Sequence, residues 1–178
     1  MSIGQQIFDA IAAEFTDLQD VGTAATVGFR LILAAILGGC LGYERESKGK
    51  AAGMRTHMLV ALGAAVFIMG PQLAEFSDAG LSRVIQGLVA GIGFLGAGAI
   101  VKGKRDEEIE GLTTAASIWM AAAIGVTAGL GRASTAIICT AMSLIVLTVL
   151  YHGASVIGGS APRKTGDRDC SADDGGNP

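Results

Sequence analysis

The sequence predicts an all-α membrane protein, built as a polytopic five-helix transmembrane bundle. Of the 178 residues, 51% are hydrophobic and 16% are charged, a charged fraction well below the roughly 25% of soluble domains. The apolar residues occur in blocks about as long as the 17–25 residues that cross a bilayer. The third block has a glycine density that destabilises a soluble helix but permits close helix packing in lipid. Its glycines are Gly87, Gly91, Gly93, Gly96 and Gly98.

Residues 1–23 precede the first block and predict a short amphipathic helix at the non-cytoplasmic interface. The segment is acidic and has no lysine or arginine, so it lacks the basic region of a signal peptide. Its apolar residues recur at helical spacing, which favours a helix lying on the membrane surface. A weakly ordered leader is the alternative. The apolar positions are Ile3, Ile7, Phe8, Ile11, Phe15 and Leu18.

Residues 24–151 form the predicted transmembrane domain, and residues 152–178 form a disordered cytoplasmic tail. The tail is polar, charged and rich in glycine and serine, so it buries too little apolar area to fold. Within 24–151, five windows are long enough to cross about 30 Å of hydrocarbon. We predict the spans Ala24–Leu41, His57–Leu73, Val84–Val101, Leu112–Leu130 and Ala133–Tyr151.

Lysine and arginine collect on alternate connections, as the positive-inside rule requires of a membrane protein. The connections Gly42–Thr56 and Lys102–Gly111 are basic, and so is the tail. The N-terminal segment and the connection Ala74–Arg83 hold at most one basic residue each. This distribution predicts a multi-pass protein of the bacterial inner (plasma) membrane, with the N-terminus outside and the C-terminus cytoplasmic.

The first two spans resemble the next two, which suggests a parallel repeat of two hairpins. Arg30 precedes Gly38 by eight positions, and Arg83 precedes Gly91 by the same offset. The alternative is that any two hairpins of small residues look alike. After each basic loop, a threonine hydroxyl is expected to cap the next helix. These two residues are Thr56 and Thr114.

Two long segments carry a resemblance to a known family. The first reads GGCLGYERESKGKAAGMRTHMLVALGAAV, and the second reads QGLVAGIGFLGAGAIV followed by GLTTAASIWMAAAIGVTAGLG. Together they resemble the membrane domain of the MgtC/SapB family over residues 27–150. Longer members add a folded cytoplasmic C-terminal domain, so we expect a short form of the family here. Glu110 stands where the family pattern has a basic residue.

The resemblance implies a function as well as a fold. It implies a role in magnesium homeostasis, namely growth at low magnesium, and in pathogens a role in virulence through survival within host cells. It further implies modulation of other membrane proteins, such as the ATP synthase. These implications come from the family and not from composition or spacing.

The predicted cytoplasmic face holds the richest polar cluster of the chain. Glu44, Arg45 and Glu46 end the first span, and a short loop leads to the second span. Acidic and basic side chains there can pair in a partly desolvated network, with Glu44 or Glu46 meeting Arg55. The cluster is either an ion-pair anchor or a binding or docking site for a ligand, lipid or protein. Its candidate residues are Glu44, Arg45, Glu46, Arg55, Thr56, His57, Thr113 and Thr114.

A second set of candidates concerns helix packing. The glycine-rich third span is expected either to pack against the small-residue rows Ala34–Gly42 and Ser117–Gly129 or to unwind beside a cavity. Two arginines, Arg30 and Arg83, are expected as cations near the outer face. The packing or cavity residues are Gly38, Gly42, Gln86, Gly87, Gly91, Gly93, Gly96, Gly98, Trp119 and Gly125.

The residues favour regulation over chemistry or transport. No aspartate or glutamate lies inside a predicted span, which disfavours a divalent-cation path, and neither histidine has a catalytic set around it. Cys40, Cys139 and Cys170 are too scattered for a metal site or disulfide framework. We expect no enzyme, cofactor, metal or nucleic acid.

The preferred hypothesis is an inner-membrane regulatory protein that contacts membrane lipid, a second copy of itself as a homodimer, and other membrane proteins. The abundant rows of small residues favour such helix contacts. The alternative is a transporter or channel for Mg²⁺ or another small ion or solute, with a path along the glycine-rich third helix.

Overall fold

The computed structural model describes residues 2–13, 20–102 and 109–157. This part of the chain is almost entirely helical, and a two-residue antiparallel ladder joins Val101 to Glu110 and Lys102 to Ile109. The all-α bundle is therefore confirmed. The helices are α1 (Ile3–Ala13), α2 (Val21–Ser47), α3 (Met54–Leu73), α4 (Asp78–Ala99), α5 (Leu112–Gly129) and α6 (Ala133–Ile157), with strands β1 (Val101–Lys102) and β2 (Ile109–Glu110) between α4 and α5.

The helices α2 to α5 are each long and apolar enough to cross a membrane. The helix α6 adds the shorter apolar stretch Ala133–Val149, so a fifth crossing stays a prediction. Helix α6 continues to Ile157, six residues beyond the predicted last span. The rest of the expected tail, 158–178, lies outside the described residues.

Helix α2 is longer at both ends than the predicted span Ala24–Leu41. At its start, the carboxylate of Asp20 accepts a hydrogen bond of 2.8 Å from the Thr23 backbone N–H, which caps the helix. At its other end, Lys48 and Glu44 form an ion pair one turn apart. These polar contacts extend the helix into sequence that hydropathy assigns to a loop.

Helix α3 lies at the centre of the bundle, between α2 and α5. Two rows of small residues allow this close approach. A Cβ atom on Gly38 would lie 2.6 Å from the His57 carbonyl oxygen, and one on Gly42 would lie 2.5 Å from the Met54 Cα. On the opposite side, a Cβ atom on Gly125 would overlap the backbone of Ala61. Only glycine fits at these crossings.

Helix α4 packs differently from the expectation. It is continuous through all five glycines and does not unwind, and only its residue Gly96 is buried. The two small-residue rows contact α3, so they are not available to the glycines of α4. The expected packing of α4 on those rows is wrong, because the central position belongs to α3.

The N-terminal helix α1 has no buried residue. Its apolar residues Ile3, Ile7, Phe8 and Ile11 are all more than half exposed, whereas Phe15 and Leu18 lie outside the described residues. The helix expected in this segment is present over Ile3–Ala13. Its place at a membrane interface stays a prediction.

Candidate functional site

The polar residues concentrate where α2 ends and α3 and α5 begin, which we call the basic end of the bundle. Close packing of α2 on α3 at Gly42 brings the end of α2 against the start of α3. The side chains that follow meet in a small volume there. We call Glu44, Arg45, Lys48, His57 and Ser117 the basic-end cluster.

His57 is fully buried at the crossing of α3 and α5. Its Nδ1 lies 2.8 Å from the Gly53 carbonyl oxygen, and its Nε2 lies 2.9 Å from the Ser117 hydroxyl oxygen. A carbonyl only accepts, so Nδ1 carries a proton. The imidazole therefore joins the first turn of α3 to α5 through two hydrogen bonds.

The Ser117 hydroxyl has two possible acceptors, His57 Nε2 and the Thr114 carbonyl oxygen at 2.8 Å. When the imidazole is neutral, Ser117 donates to Nε2. When the imidazole is protonated, Nε2 donates to Ser117, whose hydroxyl then donates to Thr114. Rotation of one hydroxyl satisfies both states, so the cluster can hold or release a proton without losing a partner.

Arg45 and Lys48 share the carboxylate of Glu44. Arg45 is 2% exposed, and its Nε lies 2.5 Å from Glu44 Oε2, while Lys48 Nζ lies 2.5 Å from Glu44 Oε1. Glu44 Oε1 is buried and makes no hydrogen bond of regular geometry among the described residues, so the Lys48 ammonium balances its charge. Lys48 Nζ also donates to the Leu147 carbonyl oxygen at 3.1 Å, which ties α2 to α6.

Glu46 has a separate role at the start of α3. Its Oε2 accepts a hydrogen bond of 2.8 Å from the Met54 backbone N–H, the first of the helix. A Cβ atom on Gly53 would lie 2.6 Å from that oxygen, so the glycine leaves room for the carboxylate. A residue of α2 thereby caps α3 in trans across the loop, and its charge suits the positive end of the helix dipole.

The structure corrects two expectations at this end. The expected pairing of Arg55 with Glu44 or Glu46 is not formed, since Arg55 is exposed and both carboxylates have other partners. The expected caps Thr56 and Thr114 are also wrong. They stand in the first turn, because the N-caps are Gly53 and Gly111.

The turn that leads into α5 requires glycine for steric reasons. Gly111 has φ 93°, a left-handed conformation, and a Cβ atom there would overlap the Ala99 carbonyl oxygen. The chain uses this turn to close the short β1–β2 hairpin against the end of α4. Thr113 is exposed and Thr114 is buried behind it.

Arg30 and Arg83 occupy different environments at the opposite end. Arg30 Nη1 donates to the Gly129 carbonyl oxygen at 3.0 Å and to Gln72 Oε1 at 3.2 Å. It therefore caps the C-terminus of α5 and joins α2 to α3 and α5. Arg83 is exposed on α4.

The glycines of α4 face open space within the described part of the chain. A Cβ atom on Gly87, Gly91, Gly93 or Gly98 would meet nothing within 4 Å. Gln86 is exposed beside them and its amide lies 3.5 Å from Ser82 Oγ. Trp119 is 47% exposed and lines a cavity of about 240 Å³ between α4 and α5.

Sequence reasoning missed three partners in these contacts. It placed Ser117 only in a packing row and assigned no role to Lys48 or Gln72. The spacing of Glu44 and Lys48, four residues apart on one helix, is the signal that predicts their ion pair. Ser117 and Gln72 are brought to their partners by helix crossing, for which the local sequence holds no signal.

The arrangement thus consists of a four-helix core tied at both ends by side-chain contacts, with an open glycine-rich helix beside it. Residues 31–154 match the MgtC family model. The chain belongs to the MgtC family. The matched range covers the whole basic-end cluster and the glycines of α4 and begins one residue after Arg30. Family membership and the four apolar helices make this a multi-pass membrane protein.

Three curated relatives support the family assignment. The chain is 44% identical over 133 residues to protein SrpB of Synechococcus elongatus, covering 68% of this chain and 73% of SrpB. It is 45% identical over 130 residues to the "Putative magnesium transporter YhiD" of Escherichia coli strain K12, and the match covers 69% of this chain and 60% of YhiD. It is 40% identical over 131 residues to protein MgtC of Brucella abortus strain 2308, and the match covers 74% of this chain and 54% of that protein.

This MgtC family chain spans less than two thirds of the length of YhiD and of the Brucella MgtC. No solved structure matches it. Among the described residues, no group of three or more His, Cys, Asp or Glu side chains is placed to hold a metal ion. The family assignment therefore rests on the membrane domain, which contains the basic-end cluster.

Proposed function

We propose that this chain is a small regulatory protein of the bacterial inner membrane that acts through helix contacts made by α4. One observation carries the proposal: on the apolar helix α4, a Cβ atom added to Gly87, Gly91, Gly93 or Gly98 would meet no atom of the described chain within 4 Å. Glycine rows in membranes allow two helices to approach closely. The glycine row on α4 allows a second helix to approach closely, and that helix belongs to another chain.

The first partner in this proposal is a second copy of the chain, so that two α4 helices meet in a homodimer. Other membrane proteins, such as the ATP synthase that the family resemblance implies, are the regulated partners. The basic end faces the cytoplasm, since exposed Lys50 and Arg55 lie there, and the N-terminus lies outside.

The physiological setting proposed is adaptation to low magnesium, with survival inside host cells where the organism is a pathogen. The name of the YhiD relative associates it with magnesium transport, and other relatives bear the name MgtC. The chain itself contributes a membrane domain and no catalytic step. Its role is to change the activity of the protein that it contacts.

The second candidate is transport of Mg²⁺ or another small ion or solute along α4. Three cavities of about 240 to 400 Å³ lie beside this helix and favour a path. Their linings are mostly apolar, whereas a magnesium path uses oxygen ligands and charge. The carboxylate of Glu44 is held by Arg45 and Lys48, so it is not free to bind a cation. These contacts favour the regulatory role.

A complementation experiment distinguishes loss of the helix contact made by α4 from loss of folding. A bacterial strain lacking its own MgtC family gene is grown at low magnesium with wild-type protein, Gly91→Leu or Gly70→Leu. Both glycines have open space around them, but Gly70 lies on α3 and not on α4. We expect equal membrane levels for all three and loss of growth and of self-crosslinking in Gly91→Leu alone. Equal growth with both variants would contradict the role of α4.

Measurement of Mg²⁺ flux distinguishes the regulatory function from the transport function. Purified wild-type protein is reconstituted in liposomes that hold a Mg²⁺-sensitive dye, and empty liposomes are the control. The regulatory proposal expects no Mg²⁺ entry above the control. Entry that depends on wild-type protein and is lost in Gly91→Leu would replace the regulatory proposal with transport.

A further inference from the structure

The N-termini of α3 and α5 both lie at the basic end, but only one of them has an anion. In α3 the first N–H donates to the carboxylate of Glu46. In α5 the first hydrogen bond of the turn is from Ala115 to the Gly111 carbonyl. The preceding N–H groups, on Leu112, Thr113 and Thr114, have no acceptor within the described part of the chain. The positive end of α5 is therefore open to an external anion.

A buried hydroxyl points to the same ligand. Thr114 is only 3% exposed, and its hydroxyl makes no hydrogen bond with any described residue. The buried residue Thr140, by contrast, donates to the Ala136 carbonyl oxygen of its own helix at 2.8 Å. Thr114 instead lines a cavity of about 400 Å³. Among the described residues, Glu44 Oε1 is the buried side-chain atom without a partner, so the Thr114 hydroxyl reaches the cavity surface and can donate to an acceptor bound there.

The cavity is apolar beyond this polar end. It lies between the 48–53 loop, α3, α4 and α5, and threonine hydroxyls are its polar side-chain groups. A free inorganic anion gains nothing from apolar walls, whereas an acyl chain is stabilised by them. The lining residues are Ala51, Ala52, Thr56, Val60, Phe94, Leu95, Gly98, Ala99, Thr114 and Ile118.

We propose that this cavity binds one phospholipid, with its phosphate at the N-terminus of α5 and an acyl chain along α4. The Thr114 hydroxyl and the free N–H groups of the first turn donate to the phosphate oxygens. Lys50 and Arg55 are exposed and are each next in sequence to a lining residue, so the surrounding charge suits an anionic headgroup. The exposed side chain of Glu110 makes no hydrogen bond to a described residue and leaves these donors available.

Lipid binding is measured on the purified full chain after delipidation in detergent. The probes are dioleoylphosphatidylglycerol, dioleoylglycerol with the same chains and no phosphate, and inorganic phosphate with no chains. Native mass spectrometry counts the bound molecules, and thermal unfolding reports stabilisation by a ligand of the folded state. We expect one tightly bound phosphatidylglycerol and a raised Tm with that probe alone. Equal binding of inorganic phosphate, or equal binding of dioleoylglycerol, would overturn the proposal.

Matched variants locate the site. Thr114→Val removes the free hydroxyl and is expected to weaken phosphatidylglycerol binding about tenfold, the size of a hydrogen bond to a charged group. Thr114→Ser is expected to restore the binding. The control Thr140→Val removes a hydroxyl from α6, far from the cavity lining, and is expected to bind as wild type. Unchanged affinity in Thr114→Val would overturn the proposal.

A second variant covers the case in which Thr114→Val does not fold. Gly98→Leu keeps Thr114 and places a side chain in the apolar part of the cavity, where a Cβ atom meets no other atom. We expect it to fold and to lose the bound lipid. Its control is Gly70→Leu, which lies outside this lining and is expected to keep the lipid. Lipid retained in Gly98→Leu would exclude this cavity as the site.

Discussion

The first helices of the two hairpins, α2 of α2–α3 and α4 of α4–α5, use their glycines in opposite ways. In the first hairpin, Gly38 and Gly42 are buried against the backbone of α3. In the second, Gly91 stands at the place of α4 that matches Gly38, and a Cβ atom there or on Gly87 would meet no atom of the described chain within 4 Å. A glycine row therefore permits close packing but does not choose the partner. The partner is chosen by the helix that takes the central position, which here is α3.

The turns of the two hairpins also differ in the groups that close them. The first is closed by side chains, because Glu46 caps α3 and His57 reaches Ser117. The second is closed by backbone, through the left-handed Gly111 and the short β1–β2 ladder. The first hairpin holds the core together, and the second leaves donors and a helix face open. Recognition of lipids and partner helices is expected in the second hairpin for this reason.

The largest effect is expected from Gly125→Ala, compared with Gly91→Ala. The added methyl of Gly125→Ala overlaps the backbone of Ala61, which cannot move as a flexible side chain can. We expect a loss of about 3 kcal/mol in the free energy of unfolding. Gly91→Ala meets open space and is expected to gain about 0.5–1 kcal/mol from helix propensity. Both are measured by unfolding in mixed detergent micelles.

The sign of the difference tests whether α5, whose glycines are buried, and α4, whose glycines are open, are packed differently. A destabilisation of similar size in both variants would show that α4 is packed as tightly as α5 in the purified protein. In that case the open face of α4 would be covered by another copy, and dilution below the dimer Kd should abolish the loss.

The second prediction compares Arg30→Met with Arg83→Met, the two arginines at equivalent places of the hairpins. Arg30→Met leaves the Gly129 carbonyl and the Gln72 side chain without their donor. We expect it to lower the free energy of unfolding by about 2 kcal/mol, as for hydrogen bonds from a charged group. Arg83→Met is exposed and is expected to stay within about 0.5 kcal/mol of wild type. Equal losses would mean that Arg83 has a partner in the membrane that the described part of the chain does not supply.

Periodic and compositional signals predicted most of the fold. The long apolar blocks located α2 to α6, with starts and ends that differ mainly where polar residues extend a helix, as Asp20 and Lys48 do for α2. Hydropathy averages over a window, so it does not detect a cap or an ion pair at a helix end. The small residues of α2 and α5 were likewise recognisable as packing rows from their spacing of four.

The partners of the site residues were not predictable from the local sequence. His57, Arg45 and Glu44 were recognised as a cluster, but Arg55 was expected in place of Lys48. On a helix, residue 55 follows the N-cap by two positions and faces away from α2, whereas residues 44 and 48 share one face. The contact between His57 and Ser117 depends on how α3 crosses α5, which only the three-dimensional structure shows.

The third prediction compares Glu46→Ala with Glu110→Ala, the acidic residues that precede α3 and α5. Glu46→Ala removes the acceptor of the Met54 N–H and is expected to cost about 1 kcal/mol, the usual value of an N-cap. The Glu110 side chain accepts no hydrogen bond from a described residue, so Glu110→Ala is expected to cost less than about 0.5 kcal/mol. Chemical unfolding of the two variants checks this order. A larger cost for Glu110→Ala would show that the start of α5 already has an anion from its own chain.

The smallest effect is expected at the opposite end, where the two hairpins begin with different caps. Asp20 caps α2 through an ionisable carboxylate, whereas Ser77 caps α4 through a hydroxyl that accepts from the Gly80 N–H at 3.2 Å. The hydrogen bond from the Thr23 backbone N–H holds the pKa of Asp20 below its ordinary value. The cap of α2 is therefore fully present above the ordinary carboxyl pKa and is lost as the pH falls through the lowered one.

Amide hydrogen exchange of the purified protein, corrected for intrinsic rates, checks this difference between about pH 5 and about pH 2. We expect protection of the first turn of α2 to fall with pH, while protection of the first turn of α4 stays constant because Ser77 does not titrate. Asp20→Asn is expected to remove the pH dependence, since its amide accepts the Thr23 N–H at every pH. A parallel fall in both turns would instead indicate that acid loosens the whole end of the bundle at which α2 and α4 begin, independently of the caps.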